Sequence, residues 1–244
     1  MKKRNILWMM TRFAIMTIAV FMMTACACFP SITRTKTATL LLADKDVTPE
    51  TSQVLLVRDE SFLFFTSRKI HPLEKSNSTW RQAHAPMNAV IGRNGFAGPG
   101  EKREGDGRTP SGHYRLGIVF GYAETAVTKM PYRQSLADDV WIDDPHAPDY
   151  NRWVKQSETR ALSYEKMKRD DDLYKYGMVI EYNTDPVIKN HGSAIFLHIW
   201  AGAGSTTAGC VAVSEEDILK ILAWLNPETR PVILINPDAR EDAR

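Results

Sequence analysis

The chain has 244 residues, 43% of them hydrophobic, with a formal net charge of +2 and three cysteines. A charge this close to balance, with no basic stripe along the sequence, lacks the electrostatic footprint of a nucleic-acid binder, so no nucleic-acid partner is expected. Three cysteines are too few for a disulfide framework, and no CxxC pair offers a structural zinc site, so neither a metal nor a cofactor is expected.

Residues 1–28 read as a targeting segment. Lys2, Lys3, Arg4 and Arg12 form a basic region, followed by an apolar stretch, Phe13 to Met23, too short to span a bilayer comfortably. It ends in Met23-Thr24-Ala25-Cys26, which resembles a bacterial lipoprotein processing site, making Cys26 the expected lipid attachment point and mature N-terminus. Cleavage near Ala25 or Ala27, giving a secreted protein, and an uncleaved anchor are the alternatives. All three place the domain outside the cytoplasm, on the periplasmic side of a bacterial envelope. Ala27, where inner-membrane retention uses aspartate, favours the outer membrane. Without residues 1–28 the chain carries 27 basic against 29 acidic residues. The threonine-rich stretch 29–51 is expected to be a flexible tether.

One domain is expected over residues 52–236, long enough for a substantial core, before a charged tail at 237–244. Gln53 to Arg58 reads as a strand, and Glu60-Ser61 as the turn into its hairpin partner, Phe62 to Thr66. Trp80 to Val90 reads as extended. Residues 92–112 hold seven glycines and two prolines, the composition of a long functional loop. Tyr114 to Phe120 returns to strand, and Ser157 to Lys168 is assigned to a helix. Met178 to Tyr182, Ala194 to Trp200 and Val211 to Val213 follow as strands. Ser214 caps a helix over 214–225, with acidic residues in its first turn and Ile218, Ile221, Leu222 and Leu225 on one face. Pro231 to Ile235 is the last strand. The pattern is mainly β with at least one packed helix.

The chemistry concentrates at Cys210, the one cysteine outside the first 28 residues. It follows a loop of small and hydroxyl residues, Ala201 to Gly209, and opens a β-branched strand. His198 lies on the preceding apolar strand. A thiol at a glycine turn and a strand-borne imidazole are the parts of a cysteine nucleophile with a general base. The competing reading is a small buried hydrophobe. The backbone N–H groups of Gly209 and Cys210 are the oxyanion candidates, since glycine permits close approach.

Three stretches, in this order, resemble the L,D-transpeptidase catalytic domain (the YkuD-like family) of bacterial envelopes. They are Gly105-Asp106-Gly107-Arg108-Thr109-Pro110-Ser111-Gly112, Gly192-Ser193-Ala194-Ile195-Phe196-Leu197-His198, and Thr207-Ala208-Gly209-Cys210-Val211. Ala208 and Ala212 depart from the family pattern, in which many members have His before the Gly-Cys and Arg two residues after the Cys.

The resemblance implies a β-sandwich-like fold and peptidoglycan stem peptides as partners. It further implies attack by Cys210 after the L-centre of meso-diaminopimelate in a tetrapeptide stem, release of D-alanine, and resolution of the thioester by an amine to give a 3–3 cross-link. The histidine is oriented by a backbone carbonyl, without an acidic third member. Water as acceptor would make the enzyme an L,D-carboxypeptidase. A non-catalytic, peptidoglycan-binding lipoprotein is the remaining alternative. Arg108, Trp200, Thr207 and His191 are the substrate-binding candidates, with bland rivals for three of them: a loop ion pair for Arg108, a core aromatic for Trp200 and a solvated turn histidine for His191.

Overall fold

The computed structural model describes residues 47–62 and 65–236. The targeting segment with Cys26, the tether up to residue 46, Leu63 and Phe64, and the tail 237–244 lie outside the described residues.

In chain order the strands begin with β1 (Gln53–Phe62), β2 (Phe65–Ser76), β3 (Thr79–Gln82) and β4 (Met87–Val90). The glycine-rich loop contributes only β5 (Phe96–Ala97) and β6 (Thr109–Pro110), two residues each. Then come β7 (Gly112–Gly121), β8 (Tyr132–Gln134), β9 (Asp139–Ile142), β10 (Trp153–Lys155) and β11 (Tyr164–Lys166). The chain closes with β12 (Tyr176–Ile180), β13 (Phe196–Ile199), β14 (Val211–Val213), helix α1 (Glu215–Trp224) and β15 (Val232–Ile235). The expected mainly-β fold with a packed helix is what the chain adopts.

One ladder runs β1-β15-β7-β12-β13-β14-β4-β2, and because β2 also pairs with β1 the circuit closes. Each of these eight strands has a neighbour on both sides, which removes the exposed edges that invite aggregation. Side chains alternate across the ladder. Leu55, Val57, Ile233 and Ile235 join the main core, whereas Val54, Leu56, Val232 and Leu234 form a second cluster with Leu73, Trp80 and Val47. Burial on both faces explains the unbroken apolar runs of β1 and β15.

Two boundaries differ from the sequence reading. Residues 47–51, assigned to the tether, pack on the domain: Val47 joins the second cluster, and the buried Thr51 hydroxyl donates to Arg230 O at 3.2 Å. The turn expected at Glu60-Ser61 lies inside the ladder, with Ser61 paired to Thr66, so the hairpin extends two residues further.

The helix assigned to Ser157–Lys168 is absent. A single 3-10 turn spans Gln156–Glu158, and β11 pairs Tyr164 with Ile142 and Glu165 with Trp141 in a three-stranded sheet, β10-β9-β11. Leu162, the residue that would have anchored an apolar stripe, is 94% exposed. With no face to bury, a helix gains little here, and strand pairing wins.

Helix α1 does form, between Ser214 and Leu225, and buries Ile218, Ile221 and Leu222 against the main core. Ser214 Oγ accepts from Asp217 N at 3.1 Å and its hydroxyl reaches Asp217 Oδ2 at 2.8 Å, satisfying one orphan amide of the first turn. Ser214→Ala is therefore expected to lower the unfolding free energy by about 1 kcal/mol. Urea titration checks this, and an unchanged midpoint would show that solvent replaces the cap.

Candidate active site

The register of β13 and β14 assembles the site. They pair in parallel, with Leu197 opposite Val211, His198 opposite Ala212 and Ile199 opposite Val213. Leu197, Ile199, Val211 and Val213 point into the main core. By the two-residue period of a strand, His198 therefore shares the other face with Phe196, the residue beside Cys210. Parallel neighbours need a crossover of about a dozen residues, and residues 200–210 supply it. The spacing between His198 and Cys210 is a consequence of that geometry.

An aromatic bed supports this face. The Phe196 ring packs edge-on against Trp141 (5.0 Å), Phe120 (5.4 Å) and Tyr174 (5.7 Å), and Tyr174 meets the His198 ring at 5.1 Å. Gly177, opposite His198 on β12, makes room for it: a Cβ there would lie 2.2 Å from Phe120 Cζ.

The glycine loop and the Cys210 loop are tied together. Thr207 Oγ1 donates to Cys210 O at 2.7 Å and accepts from Gly209 N at 3.1 Å; Thr109 Oγ1 donates to the same carbonyl at 3.3 Å. Thr207 also exchanges backbone hydrogen bonds with Ile91 and Arg93. Thr207 thus positions the nucleophile's backbone rather than offering its hydroxyl to a ligand. Of the two oxyanion candidates, the Gly209 amide is engaged by Thr207, which leaves Cys210 N–H as the one that Thr207 does not hold. A side chain at Gly209 would crowd Arg108 O, at 3.1 Å from its Cβ. Asp106 organises the loop by accepting from Lys102 Nζ (2.6 Å), Arg103 N (2.7 Å) and Arg108 N (2.8 Å). Burial pushes its carboxyl up, but these donors together hold it below the ordinary value.

Cys210 is buried, and its thiol donates to Ala194 O at 3.2 Å while Sγ accepts from Phe196 N at 3.4 Å. Burial, reinforced by the nearby Glu165 charge, pushes the thiol up to about 12. His198 Nδ1 lies 2.8 Å from Ile199 O, and since a carbonyl only accepts, Nδ1 carries the proton and Nε2 the lone pair. Burial lowers the imidazole to about 4, against the Ile199 carbonyl that favours the charged ring. The resting pair is therefore a neutral thiol and a neutral base. The Phe196 N–H and the Lys102 and Arg169 charges work to lower the thiol, and burial outweighs them in the resting site.

Two cavities meet at Cys210, of about 340 and 160 Å3. The larger holds His198, Trp200, Thr207, Tyr174 and Arg169; the smaller holds Lys102, Glu104, Asp143, Ser193 and Gly209. Arg93, Glu165 and Ala208 line both with the cysteine. A larger cavity of about 690 Å3, walled by Leu116, Met130, Pro131 and Val232, touches neither the thiol nor the imidazole. No group of three or more His, Cys, Asp or Glu among the described residues is arranged to hold a metal ion.

Of the sequence candidates, Cys210, His198, Trp200, Thr207 and Gly209 come together around these cavities. Arg108 and His191 do not. The exposed Arg108 guanidinium faces Glu101 at 3.7 Å, and half-buried His191 offers its carbonyl to the Tyr182 hydroxyl at 2.5 Å. Arg93, from the start of the same glycine loop, lines both cavities instead, and the positive charges that act on the thiol include Lys102 and Arg169. Glu165 and Tyr174 went unnoticed in the sequence because their stretch carries no motif; the three-stranded sheet brings Glu165 here, and packing on Phe196 and His198 brings Tyr174.

Residues 72–234 match the model of the YkuD family, described as the L,D-transpeptidase catalytic domain. No curated protein matches the chain.

A protonated resting thiol has a direct signature. Alkylation of Cys210 by iodoacetamide is expected to be slow at neutral pH and to keep rising through pH 9, because thiolate appears only as pH climbs toward about 12. A plateau already at pH 8 would instead reveal a pre-formed thiolate.

Proposed function

Because the chain belongs to the YkuD family of L,D-transpeptidase catalytic domains, we propose that it rebuilds peptidoglycan stem peptides through a thioester on Cys210. The observation that carries this reading is the shared face and shared cavity of Cys210 and His198, with the Nδ1 proton held by Ile199 O and the lone pair therefore on Nε2.

The mechanism follows from the neutral pair. Cys210 Sγ attacks the carbonyl at the L-centre of meso-diaminopimelate in a tetrapeptide stem as its proton moves to His198 Nε2. Coupling the two steps avoids building a thiolate in a dry site, where burial disfavours it. The oxyanion develops near Cys210 N–H, a donor of the kind worth roughly 3 kcal/mol. The C–N bond then breaks, His198 gives its proton to the departing D-alanine amine, and the thioester remains. A stem amine as acceptor yields a 3–3 cross-link; water as acceptor yields a tripeptide.

The cations at the larger cavity suit the carboxylate of the donor stem. Arg93 lines both cavities, and Arg169, forked onto Asp171 at 2.6 and 2.9 Å, lies over the Tyr174 ring. They take the place expected of Arg108.

At the cellular level we propose a domain on the periplasmic side of the envelope, tethered by lipid on Cys26. Metabolic labelling with a fatty acid is expected to mark the wild-type chain and not Cys26→Ser. Equal labelling of both would remove the anchor.

The activity is tested with the purified full chain and disaccharide-tetrapeptide, products being resolved by mass spectrometry. Cys210-dependent 3–3 dimers are expected, and Cys210→Ala should lose both the acyl-enzyme and the dimer. Tripeptide alone would identify a carboxypeptidase. Activity unchanged in Cys210→Ala would end both readings.

A further inference from the structure

We propose that Glu165 is the base that deprotonates the amine acceptor at the Cys210 thioester. This rests on the acyl-enzyme proposed above and assigns the second half of its reaction. Glu165 is the one carboxyl common to the two cavities that meet at Cys210. A group on that boundary borders the space on both sides of the thiol. His198 shares only the larger cavity. The Tyr174 hydroxyl donates to Glu165 Oε2, and the Tyr174 ring packs on His198, so the carboxyl is held relative to the imidazole.

An amine acceptor presents a chemical problem that water does not. At neutral pH it arrives as an ammonium ion with no lone pair, and it must lose two protons before the amide is complete. The Glu165 carboxylate takes the first. The neutral nitrogen then attacks the thioester carbonyl, a C–N bond forms and the C–S bond breaks. The second proton passes through His198 to the departing sulfur. The products are the amide, a Cys210 thiol and a neutral Glu165, which returns its proton to solvent.

The surroundings suit that role. Burial pushes the Glu165 carboxyl up, making it a stronger base than an exposed carboxylate. Asp143 and Glu104 push the same way, while the Tyr174 hydroxyl and the Arg169 charge oppose them. Cys210, His198, Arg93 and Lys102 complete the charged and titratable groups at the cavity walls. The smaller cavity is the natural entry for the ammonium. Asp143 is itself pushed up by burial, and its Oδ1 is buried without a hydrogen-bond partner in the structure.

The test uses the full chain, disaccharide-tetrapeptide as donor, and either disaccharide-tripeptide or hydroxylamine as acceptor. Hydroxylamine is uncharged at neutral pH and needs no base to free its lone pair. In Glu165→Gln, transfer to the tripeptide acceptor is expected to fall about 100-fold, while acylation and hydroxylamine transfer do not fall, since losing the Glu165 charge eases ionisation of the thiol. Tyr174→Phe keeps the ring against His198 but removes a hydrogen bond that favours the ionised carboxyl. Its acidic limb for stem-amine transfer is therefore expected to move to higher pH, while the limb for acylation stays in place. Equal losses in acylation and transfer, or an unmoved limb in Tyr174→Phe, would mean that Glu165 only supports the fold. A parent enzyme that acylates but yields only tripeptide would overturn the role of Glu165 while leaving the thioester standing. A parent that forms no acyl-enzyme would remove both.

Discussion

The parallel pairing of β13 with β14 is the constraint on which the site depends. It sets Cys210 beside Phe196 and keeps His198 two residues along on the same face, because successive strand residues alternate sides. A slip of one residue would bury the imidazole in the core and bring Leu197 to the cavity. The register is protected by the residues that do not react: Leu197, Ile199, Val211 and Val213 all sit in the main core. Their burial, at roughly 25 cal/mol per Å2 of apolar surface, is lost together if the strand shifts. Stability and chemistry thus use opposite faces of the same two strands.

The same packing imposes a cost on the nucleophile. An aromatic bed under Cys210 and His198 excludes water, and both groups rest in their neutral forms as a result. The backbone around the thiol is fixed independently. Two threonine hydroxyls from distant loops, Thr109 and Thr207, converge on the Cys210 carbonyl, so the glycine loop acts on the nucleophile without contributing a reacting atom.

Much of this was legible in the sequence, and the gaps have physical causes. The thiol, the imidazole and helix α1 each depend on local patterns: a glycine turn before a β-branched run, an apolar strand carrying one histidine, and a serine followed by acidic residues. The glycine loop was recognisable from composition, but which of its arginines lines the cavities at the thiol was not. Arg93 and Arg108 lie in similar local sequence, and the difference arises from the contacts of Thr207 with Ile91 and Arg93 across the two loops. Residues 157–168 failed for a different reason. Strand pairing there depends on β9 and β10 rather than on any period of its own, so Glu165 could not be placed by reading its neighbours.

The charges around the thiol depend in part on this unreadable segment. Arg169 lies only in the larger cavity, Lys102, Glu104 and Asp143 only in the smaller one, and Arg93 and Glu165 in both. In a low-dielectric site such charges act over several ångströms with little screening. The departures at Ala208 and Ala212 fit this arrangement. Where many family members place His and Arg beside the cysteine, this chain has methyl groups, and charged side chains at the cavities come from the glycine loop (Arg93, Lys102, Glu104) and the three-stranded sheet (Glu165) instead. These charges sit on segments that can change without disturbing the strand register that sets Cys210 and His198 on one face.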